Sequence, residues 1–70
     1  MYWKKIVTVG AHSIGVMFDE ENQEYVLVDN YVGERKRYMT YPAAIDDMQV
    51  VVCELLNSYF ADIYEQNLLN

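Results

Sequence analysis

Arg35-Lys36-Arg37-Tyr38-Met39-Thr40-Tyr41-Pro42-Ala43-Ala44-Ile45-Asp46-Asp47-Met48 is the stretch in which the chain changes its period. Behind Pro42, the apolar residues Ile45, Met48, Val52, Leu55 or Leu56, Tyr59 and Ile63 recur at spacings of three and four, the repeat of an amphipathic helix. Proline is tolerated at the first helical position, where its missing N–H has no partner to lose, and Asp46 and Asp47 soon after suit the positive end of the helix dipole. One long helix is predicted over roughly Ala43 to Asn67.

Ahead of Pro42 the pattern is that of strands and turns. Tyr2 to Val9 is rich in β-branched and aromatic residues, and Gly10-Ala11-His12-Ser13 breaks it. Ile14 to Phe18 and Glu24 to Asp29 flank the polar turn Asp19-Glu20-Glu21-Asn22-Gln23, a spacing that suits a β-hairpin. Asn30-Tyr31-Val32-Gly33 is a further turn, and Arg35 to Thr40 reads as a fourth strand. The expectation is an α+β fold over residues 1–70, a three- to four-stranded antiparallel meander followed by one long C-terminal helix, ββββα.

A lone helix covers one face of a sheet, yet both faces carry apolar side chains. In the first strand, strict alternation sets Trp3, Val7 and Val9 against Tyr2 and Ile6, and in the third strand Tyr25 and Leu27 against Val26 and Val28. One face is left as an apolar patch of a kind soluble monomers seldom expose, unless the helix curls over more of the sheet.

Seventy residues bound what such a domain can do. A chain this short buries only about 60% of the surface its unfolded form exposes, and a deep substrate cleft is hard to carve from it. Cys53 is the sole cysteine and His12 the sole histidine, so no internal disulfide and no Cys/His zinc cluster is available. Supplementary stability is expected from oligomerisation or a partner. The short run Ile6 to Val9 makes no signal-peptide core and no apolar run would cross a bilayer. A cytoplasmic protein is expected. The net charge of −6 argues against direct contact with nucleic acid or an anionic membrane.

The distribution of that charge is informative. Residues 1–37 hold all five basic residues and six acids; residues 38–70 hold Asp46, Asp47, Glu54, Asp62 and Glu65 and no Lys or Arg. Asp47, Glu54, Asp62 and Glu65 fall on one helical stripe, away from Ile45, Val52 and Tyr59. An exposed helix ordinarily mixes Glu with Lys at i,i+4. Here the pairs are forgone, and Asp62 and Glu65 sit where the dipole disfavours anions. Such a stripe can steer and dock a basic surface, or serve solubility alone. Seven tyrosines supply stiff amphipathic contact area, and Tyr31, Tyr38, Tyr41 and Tyr64 flank the turn and the helix ends.

Other constellations read as structural. Arg35 and Arg37 are expected on one face, paired with Asp29 or Glu24. His12 beside Ser13 lacks a third orienting group and an enclosed pocket, so it reads as a surface turn histidine. Gly10 and Gly15 are not followed by Gly-Lys-Ser/Thr, so they form no phosphate loop, and Asp19-Glu20-Glu21 lacks the alternating ligands of a calcium loop. Cys53 is expected to be a small buried side chain. No cofactor and no enzymatic activity are expected. The leading expectation is an acidic interaction module that inhibits or regulates a protein by occupying its basic, nucleic-acid-binding surface; the alternative is a structural or regulatory homodimer whose sheet face or helix buries the surplus apolar surface, the acidic stripe serving solubility.

Overall fold

A computed structural model describes residues 1–69, with side chains as far as residue 63. Four strands, β1 (Tyr2–Val9), β2 (His12–Asp19), β3 (Glu24–Asp29) and β4 (Gly33–Tyr38), pair antiparallel in chain order, and one helix, α1 (Tyr41–Leu69), follows. This is the ββββα meander read from the sequence. Strands β1 and β3 keep their predicted limits, β2 is longer at both ends, β4 lies two residues earlier, and α1 is longer at both ends.

The helix start differs in its cause from the prediction. Thr40 is the cap: its Oγ1 accepts from the Ala43 N–H at 3.4 Å and its carbonyl from the Ala44 N–H at 3.3 Å. Pro42 is the second helical residue, and no acid lies in the first turn, so Asp46 and Asp47 sit too far in to act as dipole partners.

Sheet register sorts the side chains into two faces. Val7, Ile14, Val16, Tyr25 and Leu27 point to the helix and close the core with Ala44 and Met48. An extra residue, Lys4, interrupts the β1–β2 ladder between Trp3 and Lys5. Strict alternation, which put Trp3 with Val7, therefore fails. Tyr2 shares the helix face with Val7 through its partner Phe18, while Trp3 and Ile6 share the open face through Met17 and Gly15. The bulge of β4 has the same effect: Arg35 is the unpaired residue opposite Leu27 and Val28, so Arg35 and Arg37 lie on opposite faces and not on one.

Gly15 is required by a close approach. A Cβ there would collide with the Lys5 carbonyl oxygen and stand 2.9 Å from the Trp3 ring. The indole therefore lies over Gly15 on the open face, where it remains 46% exposed.

Helix and sheet differ in length. Twenty-nine residues at 1.5 Å span about 43 Å, whereas an eight-residue strand spans about 27 Å. The helix begins beside Tyr25, whose ring lies 5.5 Å from that of Tyr41, and reaches the β1–β2 turn at Tyr59, next to Gly10. Residues beyond Tyr59 run past the sheet, which gives the molecule its 52 Å long axis against 18 and 15 Å.

Candidate interaction surface

The polar residues of the sheet are largely committed to one another. Asp19 Oδ1 accepts from the Glu21 and Asn22 N–H groups, holding the β2–β3 turn, and its Oδ2 receives the Asn22 amide at 2.8 Å and Arg37 Nη1 at 2.7 Å. Arg37 also grips Glu34 through two nitrogens, and Glu24 lies 3.7 Å away. The Arg37 hydrogen bond, followed by that of Asn22, holds the Asp19 carboxyl down at about 2, and the same guanidinium holds Glu34 below the usual range. This network spreads over Val26, which is fully buried although it faces away from the helix.

Asp29 performs the same task at the other end of the sheet. Its buried carboxylate accepts from the N–H groups of Tyr31 (2.9 Å) and Val32 (2.6 Å) and from Arg35 Nη1 (2.7 Å). Burial works to raise its pKa, but the Val32 N–H, Arg35 and the Tyr31 N–H outweigh it and hold the carboxyl below its ordinary value. The expected pairing of Arg35 with Asp29 is thus present, as is a looser contact of Arg37 with Glu24, while the hydrogen bonds of Arg37 go to Glu34 and Asp19. His12 is not simply a surface residue. Its Nε2 is buried without a hydrogen bond, 3.8 Å from Asp29, and its ring packs edge-on against Tyr31. That contact places Tyr31 at the β3–β4 turn, with most of its side chain in water.

The four acids of the predicted stripe have different surroundings. Asp47 accepts the Tyr38 hydroxyl at 2.6 Å; burial, and then this carboxylate, push the phenol up to about 12. Glu54 is exposed and lines, with Asp47, Val50 and Val51, a groove of about 410 Å³ against Leu27, Arg35, Lys36 and Tyr38 of the sheet. Asp62 is exposed, turned roughly 60° from Asp47 toward the sheet side at 3.6 residues per turn, beyond the last strand contact. The Glu65 and Tyr64 side chains lie outside the described residues. Tyr38 and Tyr41 are half-buried against the core, so of the predicted tyrosines Tyr31 is the freely presented one among the described side chains.

The groove fixes which side of α1 faces which edge. Asp47, Val50 and Glu54 face β4. Residues about half a turn away, among them Ile45, Val52 and Leu56, therefore face the β1 side. There the helix leaves the start of β1 uncovered: Tyr2 and Lys5, which lie on its face of the sheet, are exposed. Leu56 and Tyr59, near the end of the sheet, and Phe60 and Ile63, past it, stand between 36% and 61% exposed. Cys53, expected to be buried, is exposed, because it falls outside the arc that meets the sheet. The uncovered apolar surface foreseen from the two-sided strands thus has two parts. One is the open sheet face around Trp3 and Ile6; the other is the helix flank, whose extent the sequence left open in the choice between Leu55 and Leu56. Leu55 packs on the core and Leu56 does not.

Among the described residues no group of His, Cys, Asp and Glu is arranged to hold a metal ion, and no helix is long and apolar enough to cross a membrane. No family model, curated protein or solved structure matches the chain.

Proposed function

We propose that the chain acts by binding, as a structural or regulatory homodimer. The observation that carries this reading is the long helix that outruns its sheet, with Leu56 near the end of the sheet and Phe60 and Ile63 past it all exposed to water. Soluble monomers rarely keep a contiguous apolar surface uncovered, and a 70-residue core gains most from a second subunit. Sedimentation equilibrium tests it: a mass twice the 8.2 kDa of the chain at micromolar concentration is expected, and a single 8.2 kDa species at 100-fold higher concentration would refute it.

A second reading, occupation of a basic nucleic-acid-binding surface of another protein, draws support from one observation: no Lys or Arg follows Arg37, so the exposed carboxylates of Asp46, Glu54 and Asp62 meet no base along the helix. Replacing Asp47, Glu54, Asp62 and Glu65 with Asn or Gln tests it against a basic partner recovered from the native cell. Slower association whose deficit shrinks at high salt supports this reading; unchanged association reduces the stripe to a solvated face.

A further inference from the structure

We propose that two copies join through an antiparallel pairing of their α1 helices about a two-fold axis, each helix end lying over the partner's β1. This inference rests on the homodimer reading and specifies its interface.

The spacing along the helix is the first argument. Ile45, Gln49, Val52, Leu56, Tyr59 and Ile63 follow one another at intervals of four, three, four, three and four, the a/d spacing of a coiled-coil seam. This stripe borders the one that faces the chain's own sheet, Ala44, Met48, Val51 and Leu55: Ile45 and Val52 lie half-buried at the edge of that core, and Leu56, Tyr59 and Ile63 are exposed. It lies on the β1 side, opposite the Asp47–Glu54 flank. Run antiparallel, the seam is self-complementary: Ile45 meets Ile63, Gln49 meets Tyr59 and Val52 meets Leu56, each twice, as an isologous interface demands.

The width of the sheet is the second argument. Four strands at about 4.8 Å make a layer that a single helix about 10 Å across cannot cover. The start of β1 is what α1 leaves bare, with Tyr2 and Lys5 exposed on the helix face. A second helix laid beside α1 would complete the layer, and the antiparallel arrangement brings the partner's overhanging end to that place.

Charge is the third. Among the described residues Arg35 and Arg37 are engaged by Asp29, Asp19 and Glu34, while Lys4 and Lys5 make no ion pair, and β1 contains no acid. The overhang carries Asp62 on its sheet-facing side and no base. Within one molecule they are kept apart, because Asp62 lies past the β1–β2 turn and Lys4 and Lys5 lie toward the other end of β1. Across the two-fold axis they meet.

The edges of the sheet exclude the obvious competitor. Each edge strand has a bulge, at Lys4 in β1 and at Arg35 in β4, and each carries exposed charges, the devices that keep strands from pairing edge to edge.

The test uses the full chain and sedimentation. Leu56→Asp with Ile63→Asp, both exposed, is expected to weaken dimerisation on the order of 100-fold or more while the thermal transition of the monomer is retained. Lys4→Glu with Lys5→Glu, and separately Asp62→Lys, should each weaken it roughly threefold to tenfold. Mixing the Lys4→Glu/Lys5→Glu chain with the Asp62→Lys chain should favour the heterodimer, in which both charge contacts attract, one in native and one in reversed polarity, whereas both repel in either variant homodimer. A dimer indifferent to the Leu56/Ile63 change, or no preference on mixing, overturns this arrangement and leaves the homodimer reading standing. A monomeric wild-type chain overturns both.

Discussion

At the scale of single residues, two aspartates organise the ends of the sheet. Asp29 satisfies two turn N–H groups and one guanidinium from a fully buried position, so Asp29→Ala leaves three donors without their acceptor. Urea unfolding should show a loss of about 2–4 kcal/mol. The pH dependence follows from the direction of the shifts. Asp19 and Asp29 both hold their protons less tightly when folded. Their contribution is complete above the unfolded value of about 3.9 and is lost as pH falls through the folded one, which for Asp19 is about 2. Thermal stability should therefore drop between about pH 4 and pH 2, and Asp19→Asn should flatten that slope. Tyr38 works at the alkaline end. Its folded pKa of about 12 exceeds the ordinary 10, so stability is full below 10 and declines as pH climbs toward 12. Tyr38→Phe should remove that decline and cost about 1 kcal/mol at neutral pH, through the lost hydrogen bond to Asp47. Of these partnerships the sequence indicated only that of Arg35 with Asp29. Acids near basic residues suggested pairing in general, but the choice of Asp19 for Arg37 is made by a one-residue bulge.

At the scale of elements, the meander and the helix were legible because each rests on a repeated signal. Alternation marks the strands, polar turns of fixed length join them, and the period changes after Pro42. A bulge has no such signature. Lys4 and Arg35 are ordinary strand residues in composition, yet each reverses the facing of what precedes it, and so the Trp3 side chain could not be placed by counting. Cys53 was misplaced for a related reason: neighbouring valines and leucines suggest burial, but only the angle around the helix decides it. Thr40 was obscured by the stronger mark of Pro42. Its role is open to test, since Thr40→Ala should lower stability by about 1 kcal/mol through loss of the cap. Gly15 offers a sharper one. Any side chain there meets the Lys5 carbonyl and the Trp3 ring, so Gly15→Ala should cost roughly 1–3 kcal/mol by overpacking. The accompanying loss of protection from amide exchange should be centred on the β1–β2 ladder.

At the scale of the whole molecule, the sheet and the helix flank divide the labour. The sheet is tied inward by Arg35 and Arg37, closed at both edges by bulges and charge, and faced by one helix. The helix presents Leu56 near the end of the sheet and runs on beyond it with Phe60 and Ile63. The surplus apolar surface was foreseeable from the strands, but its extent along the helix flank was not, because that depends on how far a 29-residue helix outreaches strands of six and eight. Trp3 gives this division an optical consequence. It is the only tryptophan in the chain, half in water on the open face, turned away from the layer where two helices would meet. Its fluorescence should keep the colour of a hydrated indole when the chain dimerises through α1, and shift to the blue only when something settles on the other side of the sheet. A titration followed at the emission maximum and by sedimentation together would therefore tell the two surfaces apart without a label.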